Sequence, residues 1–141
     1  MARIPAAIVD VDDTLVDARG RRIAQGIEFA RRQYGAGRTV LVVTAREARL
    51  YRQTTRWLAM NLPVPFVGPF HRRNGDVRPF AIVKQEIYRL LSQRFDVRAA
   101  IDDNPEVLTA WRRLGIPEVE AVPIIGDPNR SVGTNRQASV G

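Results

Sequence analysis

A short apolar run near the N-terminus ends in three carboxylates. Residues 6–9 are apolar, and Asp10, Asp12 and Asp13 follow directly. A continuous apolar segment is typical of a parallel strand that is buried on both faces. Open α/β sheets bind their ligands at the carboxyl ends of such strands. Neighbouring acids repel one another unless a cation lies among them, and Mg²⁺ prefers oxygen ligands. The alternative interpretation is a solvated acidic turn after a strand.

Strand-like and helix-like segments alternate along the chain. The apolar periodicity predicts strands over residues 4–10, 39–43, 66–67, 97–101 and 119–125, and helices over residues 24–34, 47–61, 79–95 and 105–114. This alternation favours an α/β fold, a Rossmann-like three-layer sandwich with a mostly parallel central sheet. We expect residues 1–125 to form the domain. Residues 126–141 are polar and rich in Gly, Ser and Asn, and we expect them to be a disordered tail.

Local signals in residues 70–77 predict a hairpin. This segment contains Asn74-Gly75, the strongest short hairpin signal. His71 is the single histidine of the chain, and without a partner histidine it is expected to have a surface or hairpin role. Trp57 and Trp111 lie at helical spacing among apolar neighbours and are expected in the core.

Polar side chains follow three of the predicted strands. Asp10 and Asp12 follow the first strand, Thr44 the second, and Asp102 and Asp103 the fourth. Because the carboxyl ends of parallel strands meet at one edge of a sheet, these side chains should form a single site.

Charge points to an anionic partner. The formal net charge is +7, and the 22 basic residues include a single lysine, Lys84. This balance favours an anionic binding partner, although a coding bias toward arginine explains the composition as well. A lone lysine indicates a position that needs a compact ammonium group. The absence of cysteine excludes disulfides and thiolate metal sites. No apolar run approaches the ~18 residues of a membrane span and the N-terminus lacks a signal peptide, so we expect a cytoplasmic protein with no membrane partner.

These motifs together resemble the haloacid dehalogenase-like (HAD-like) phosphohydrolases. That family carries Asp-x-Asp-x-Thr after its first strand, Thr or Ser after its second, a lysine near a helix start and an acidic pair after its fourth strand. The matching residues here are, in order, Asp10, Asp12, Thr14, Thr44, Lys84, Asp102 and Asp103.

A closer likeness, from Arg72 to about Asp127, is carried by five short runs: residues 74–78, 82–87, 95–97, 100–103 and 111–115. These runs resemble the 3′-phosphatase domain of phage polynucleotide kinase-phosphatase, and the resemblance extends over nearly all of residues 4–127. The phage enzyme has an acid four residues before the motif lysine, where this chain has Phe80. The chain also lacks the Gly-x-x-x-x-Gly-Lys-Ser/Thr loop of a kinase, so phosphorylation of 5′ ends is not expected.

The resemblance implies a Mg²⁺-dependent phosphomonoesterase with an aspartyl-phosphate intermediate. It makes Asp10 the nucleophile and Asp12 the general acid and base. Thr44 and Lys84 would stabilise the phosphoryl group. The implied magnesium ligands are Asp10, Asp12 through its backbone carbonyl, and one or both of Asp102 and Asp103. The implied substrate contacts are Thr14, Arg21, Ala45, Arg46 and Arg78.

The spacing between motifs leaves no room for a folded cap domain over the site. Residues 15–38 must hold a flap and a helix, and residues 47–83 a helix, a short strand and a hairpin. An uncovered site among arginines suits the end of a polymer, which favours a 3′-phosphatase acting on DNA or RNA ends. The alternatives are a small-molecule nucleotidase whose cap comes from another subunit, and a nucleic-acid-binding module with a vestigial site. The choice between DNA and RNA, the oligomeric state and the involvement of a separate kinase or ligase stay open.

Overall fold

Five parallel strands form a central sheet. The computed structural model describes residues 2–124. In chain order the strands are β1 (Ile4–Val9), β2 (Thr39–Glu47), β3 (Val67–Arg72), β4 (Phe95–Asp102) and β5 (Glu118–Ala121). Their spatial order is β3-β2-β1-β4-β5, and every neighbouring pair is parallel. The strand that carries the acidic motif therefore lies at the centre of the sheet, which confirms the predicted α/β class.

Helices cover both faces of this sheet. They are α1 (Ala24–Gly35), α2 (Tyr51–Asn61), α3 (Phe80–Leu91) and α4 (Pro105–Arg113), with a short 3₁₀ helix, Ala48–Leu50, before α2. Alternate residues of β1 point to opposite faces, as the period of a strand requires. Ala7 and Val9 pack in one buried cluster with apolar residues of α1 and α2. Ala6 and Ile8 pack in the other cluster with residues of α3 and α4. The result is a three-layer sandwich.

The hairpin predicted for residues 70–77 is wrong. Residues 70–72 belong to β3, which pairs with β2 in parallel. Asn74 and Gly75 do form a turn, but it lies in the connection from β3 to α3. The turn is attached to the chain after β2, because Asn74 Oδ1 accepts a hydrogen bond from the Arg49 backbone N–H at 2.8 Å. A turn signal fixes the local backbone, whereas the partner of each flanking segment is decided by the sheet.

Smaller differences concern element ends and the tryptophans. Strand β2 continues to Glu47, beyond the predicted end at residue 43, and α3 ends at Leu91 instead of residue 95. Residue 125 and the predicted tail over residues 126–141 lie outside the described residues. Trp111 is in the core, as expected, with 0% exposure. Trp57 is only partly buried, and its Nε1–H donates to the Gly20 carbonyl at 2.9 Å.

The connections between strands hold no folded cap within residues 2–124. A small flap follows β1, where Val16 forms isolated bridges to Asp12 and Arg22. Helices of the described region are too short or too polar to cross a bilayer. Within residues 2–124, the carboxyl edge of the sheet is therefore covered by this flap and by loops.

Candidate active site

A buried lysine joins two aspartates at the carboxyl edge of the sheet. Lys84 Nζ donates to Asp10 Oδ1 at 2.7 Å and to Asp102 Oδ2 at 2.6 Å. The three side chains are only 3%, 7% and 1% exposed, respectively. Burial alone would lower the pKa of Lys84, but the charges of the two carboxylates outweigh it and raise that pKa. Lys84 is therefore a fixed positive charge.

The sheet places the two aspartates side by side. Strands β1 and β4 are neighbours, and their pairing ends at Val9 with Ile101. Asp10 and Asp102 each follow one member of that last pair, and the Asp10 N–H donates to the Ile101 carbonyl at 3.2 Å. Lys84 lies in the first turns of α3 and reaches them from the helical layer. The convergence expected of the strand ends is therefore present for β1 and β4.

Hydrogen bonds fix the orientation of both carboxylates. Thr14 Oγ1 donates to Asp10 Oδ2 at 2.8 Å and is fully buried. A side chain at Gly26 of α1 would place its Cβ 1.9 Å from the Thr14 carbonyl oxygen, so only glycine permits this close approach. Asp102 Oδ1 accepts from the Asn104 backbone N–H at 3.0 Å. The Asn104 side chain in turn caps α4, accepting from two backbone N–H groups.

Asp103 completes a group of three carboxylates that suits a metal ion. One oxygen from each of Asp10, Asp102 and Asp103 lies within 4.8 Å of the others. Burial, together with the charge of Asp10, raises the pKa of Asp103 to about 9. Burial and Asp10 also raise the pKa of Asp102, although Lys84 opposes them. Three carboxylates facing one lysine leave an excess of negative charge, and an oxygen-only donor set of this kind fits Mg²⁺.

Asp12 lies at the rim of the site and is held by Arg46. Arg46 donates to the two Asp12 carboxylate oxygens at 2.7 and 2.9 Å, and to Thr54 Oγ1 at 2.9 Å. The hydrogen bonds to Asp12 raise the pKa of the Arg46 guanidinium. Asp12 is 56% exposed, so it faces solvent while its orientation is fixed. Thr54 is a buried threonine of α2 that sequence reasoning missed; its position among polar helical residues carried no separate signal.

Thr44 lies beneath the surface of the site. It is 1% exposed, and its Oγ1 accepts from the Arg46 backbone N–H at 3.1 Å. Both residues lie in β2, and this bond ties Thr44 to the arginine that holds Asp12. Thr44 is therefore buried next to Arg46, which lines the cleft.

A cleft of about 640 Å³ opens over the cluster. Several residues singled out from the sequence line it: Asp10, Asp12, Ala45, Arg46, Lys84, Asp102 and Asp103. Thr14 and Thr44 are buried below it. The cleft is also lined by Arg49, Arg72 and Phe80, none of which was predicted to contact substrate. The single sequence signal among these three was Phe80, as a departure from the phage pattern.

Two predicted substrate contacts lie elsewhere in the structure. Arg78 pairs with Asp76 at 2.7 Å and with Glu86 at 3.0 Å, outside the cleft lining. The hydrogen bonds from Arg78 lower the pKa of Asp76 to about 2. Arg21 is exposed on the flap, and its backbone N–H donates to Asp17. Their roles in substrate binding stay predictions.

Comparison with known proteins identifies the family and the fold of the chain. The family model of the polynucleotide kinase PNKP phosphatase domain matches residues 4–122. A chain in the structure of the Pnkp1/Rnl/Hen1 RNA repair complex is similar, with 22% identity and a TM-score of 0.77 over 86% of this chain and 43% of that chain. A second structure of a Pnkp1/Rnl/Hen1 complex gives 23% identity and a TM-score of 0.75 over 86% and 47%. The protein thus spans less than half of those chains, and the likeness shows a shared fold.

The family match extends from β1 to the end of β5 and includes every strand and helix described above. The matched range includes every motif residue of the resemblance stated from the sequence: four aspartates, two threonines and Lys84. The chain therefore belongs to the HAD-like family of polynucleotide kinase PNKP phosphatase domains.

Proposed function

We propose that the protein is a Mg²⁺-dependent phosphomonoesterase that removes 3′-phosphates from the ends of DNA or RNA through an aspartyl-phosphate. The observation that carries this proposal is the buried Asp10–Lys84–Asp102 cluster at the floor of an uncapped cleft. Asp10 lies in the cleft lining, and its carboxylate is held in a fixed orientation, which is what a nucleophile requires.

In the first step an Asp10 carboxylate oxygen attacks phosphorus. A bond forms between that oxygen and phosphorus, the bond from phosphorus to the 3′-oxygen breaks, and the leaving oxygen takes a proton from Asp12. In the second step Asp12 takes a proton from water, whose oxygen attacks the same phosphorus. The bond to Asp10 then breaks, which releases inorganic phosphate and restores both aspartates.

Lys84 and Thr14 prepare the nucleophile for this attack. Lys84 and the Thr14 hydroxyl each hold one oxygen of Asp10, at 2.7 and 2.8 Å. Each carboxylate oxygen keeps a further lone pair. The lysine also brings a positive charge to the floor of the cleft, where negative charge accumulates on the phosphoryl oxygens.

Arg46 links phosphate binding to the freedom of Asp12. Its guanidinium binds Asp12 in the absence of substrate, and the same fork of donors matches a phosphate. An incoming phosphate competes for Arg46 and thereby loosens Asp12, which must exchange protons. Thr44 lies next to Arg46 and donates its hydroxyl hydrogen to a phosphoryl oxygen.

The carboxylates of Asp10, Asp102 and Asp103 would hold the magnesium ion, with the Asp12 backbone carbonyl as a further expected ligand. The ion supplies positive charge that offsets the repulsion between these acids and an anionic substrate. The proximity of the three carboxylates supports this assignment.

The shape and charge of the cleft favour a polymer end over a free metabolite. No folded cap covers the site within residues 2–124, and Arg46, Arg49 and Arg72 line it. Arginine contacts to phosphates supply affinity that is independent of sequence and sensitive to salt. Because the similar chains come from RNA repair complexes, we further propose that a separate ligase uses the 3′-hydroxyl product.

The test is release of inorganic phosphate from matched 3′-phosphorylated and 5′-phosphorylated DNA and RNA oligonucleotides and from free nucleoside 3′-monophosphates. We expect magnesium-dependent release from 3′ ends, abolished by a chelator, and a KM that rises with added salt. A large preference for free mononucleotides would contradict the polymer substrate. Absence of any release, with oligonucleotide binding retained, would indicate a binding module instead.

A further inference from the structure

An exposed aromatic ring lies at the cleft, one helical turn from the lysine. Phe80 is the first residue of α3, lines the cleft and is 47% exposed. Lys84 follows it on the same helix face, because residues four apart lie one above the other about 6 Å along the axis. Lys84 reaches Asp10, so the ring stands beside the phosphoryl position rather than at a remote point on the surface.

Arg72 lies over one face of this ring. Its guanidinium carbon is 5.6 Å from the centre of the Phe80 ring, and Arg72 also lines the cleft. Its Nη1 donates to the Asp76 carbonyl at 2.7 Å, which fixes the end of the side chain. Arg72 therefore takes one face of the ring, and the remaining surface of the half-exposed Phe80 side chain is open to a ligand in the cleft.

The combination is that of a nucleobase subsite. Proteins that bind single-stranded nucleic acid stack bases on aromatic rings and add arginine contacts. A phenylalanine side chain has no polar atom, so it binds a ligand through the flat face of its ring. A nucleobase provides a matching flat face, and the nucleotide that carries the phosphate brings one to this position.

We propose that Phe80 binds the nucleoside that carries the scissile phosphate, with its base stacked on the ring face opposite Arg72, and that Arg72 holds the ring in position. This inference rests on the proposed 3′-phosphatase function and adds a specificity-determining subsite to it. Phe80 contributes to the recognition of the terminal nucleotide and takes no part in the chemical steps.

The test compares two oligonucleotides that differ only at the 3′-terminal residue. One carries a normal 3′-phosphorylated nucleotide, and the other a 3′-phosphorylated abasic analogue. For the wild type we expect kcat/KM to be roughly tenfold to hundredfold higher on the base-bearing end, the range of base–aromatic stacking. Phe80→Ala should bring this ratio close to one through a higher KM for the base-bearing end, and Phe80→Trp should retain it.

Ile82 provides the matched control. It lies on the same helix, is 48% exposed and is outside the cleft lining. Ile82→Ala should leave the ratio at the wild-type value. Arg72→Lys should lower it less than Phe80→Ala, because the ring loses the guanidinium that lies over it but is still present. A second measurement uses 2-aminopurine as the terminal base, bound to the turnover-blocked Asp10→Asn variant. Its fluorescence should be quenched by stacking, and adding Phe80→Ala should restore it.

The outcomes separate the subsite from the function it rests on. A wild type that releases phosphate equally fast from base-bearing and abasic ends overturns the subsite and leaves the 3′-phosphatase function intact. The same holds if Phe80→Ala keeps the wild-type ratio and the quenching. A wild type inactive on both 3′-phosphorylated ends overturns the proposed function, and the subsite with it.

Discussion

Helix α3 and the loop before it hold two clusters in which one cation bridges two carboxylates. In the inner cluster, Lys84 contacts Asp10 and Asp102 at 2.7 and 2.6 Å, and the side chains are 7% exposed or less. In the outer cluster, Arg78 contacts its two acids at 2.7 and 3.0 Å, with 45% of its own side chain exposed. The distances are nearly the same, so the difference between the clusters is their access to water.

Water decides what each cluster contributes. Exposed ion pairs gain little because solvent screens them and because ordering the side chains costs entropy. A buried pair pays for the removal of two charges from water, and it becomes strongly destabilising only when one partner is lost. The inner cluster is therefore a poor means of stabilising a fold and a good means of holding a charged nucleophile in place. In the outer cluster, Arg78 is paired with Asp76 and Glu86, although it lies near the motif lysine in the sequence.

The largest expected effect is on chemistry in the inner cluster. Asp10→Asn removes the nucleophilic carboxylate while keeping its size. We expect kcat for phosphate release to fall on the order of 10⁴- to 10⁶-fold, the range seen when a nucleophile is removed. Single-turnover assays on a 3′-phosphorylated oligonucleotide measure this, with Asp76→Asn in the outer cluster as the control. A loss below about tenfold would exclude Asp10 as the nucleophile.

The second prediction concerns stability and tests the two cations directly. Lys84→Met leaves two buried carboxylates without their shared cation, and we expect the free energy of unfolding to fall by about 3–5 kcal/mol. Arg78→Met removes the cation of the outer cluster, in which Asp76 is 12% and Glu86 59% exposed, and should lower the free energy of unfolding much less than Lys84→Met does. Chemical denaturation of both variants without magnesium measures the difference. Equal midpoints for the two variants would show that burial is not what distinguishes the clusters.

The inner cluster was largely predictable from the sequence, and its rim was not. Asp10 and Asp102 were identified because strand ends converge in a parallel sheet. Lys84 was named by the resemblance, and its being the single lysine of the chain pointed the same way. Arg46 was named by resemblance. Its hydrogen bonds to Asp12 depend on where the two side chains point, and the spacing of residues in the sequence does not show this.

The local turn signal led to a wrong prediction, because the whole sheet determines which strand each segment pairs with. Asn74-Gly75 forms its turn, yet the hairpin is absent because the strand before it pairs in parallel with β2. Arg72 and Phe80 lie at the cleft because β3 and α3 end and begin there. For Arg72, one arginine among many carried no signal of its own. The role of Trp57 in holding Gly20 of the flap likewise depends on a tertiary contact.

The third prediction concerns Gly26, which packs against the backbone of Thr14 beside the inner cluster. Gly26→Ala places a methyl group 1.9 Å from the Thr14 carbonyl oxygen, and Thr14 orients Asp10. We expect a loss of about 1–3 kcal/mol in the free energy of unfolding, typical of overpacking, together with a lower kcat. Gly35 lies on the same helix, and a Cβ added there would meet no atom within 4 Å. Gly35→Ala should therefore stabilise the protein by about 0.4–1 kcal/mol. Thermal and chemical denaturation should give opposite signs for the two variants; the same sign would mean that the Thr14 contact is not tight.

The smallest expected effect distinguishes the acids of the two clusters by their response to magnesium. Asp103 adds a third carboxylate beside the inner cluster, and the excess negative charge there should bind Mg²⁺. At a magnesium concentration ten times its Kd, binding to the folded state alone adds about 1.4 kcal/mol to the free energy of unfolding. The acids of the outer cluster are already paired with Arg78, so they should add nothing to this gain. Asp103→Asn should reduce the magnesium-dependent shift in Tm, whereas Asp76→Asn should leave it at the wild-type value. A full shift in Asp103→Asn would remove that residue from the ligand set, and a shift lost in Asp76→Asn would place the ion in the outer cluster.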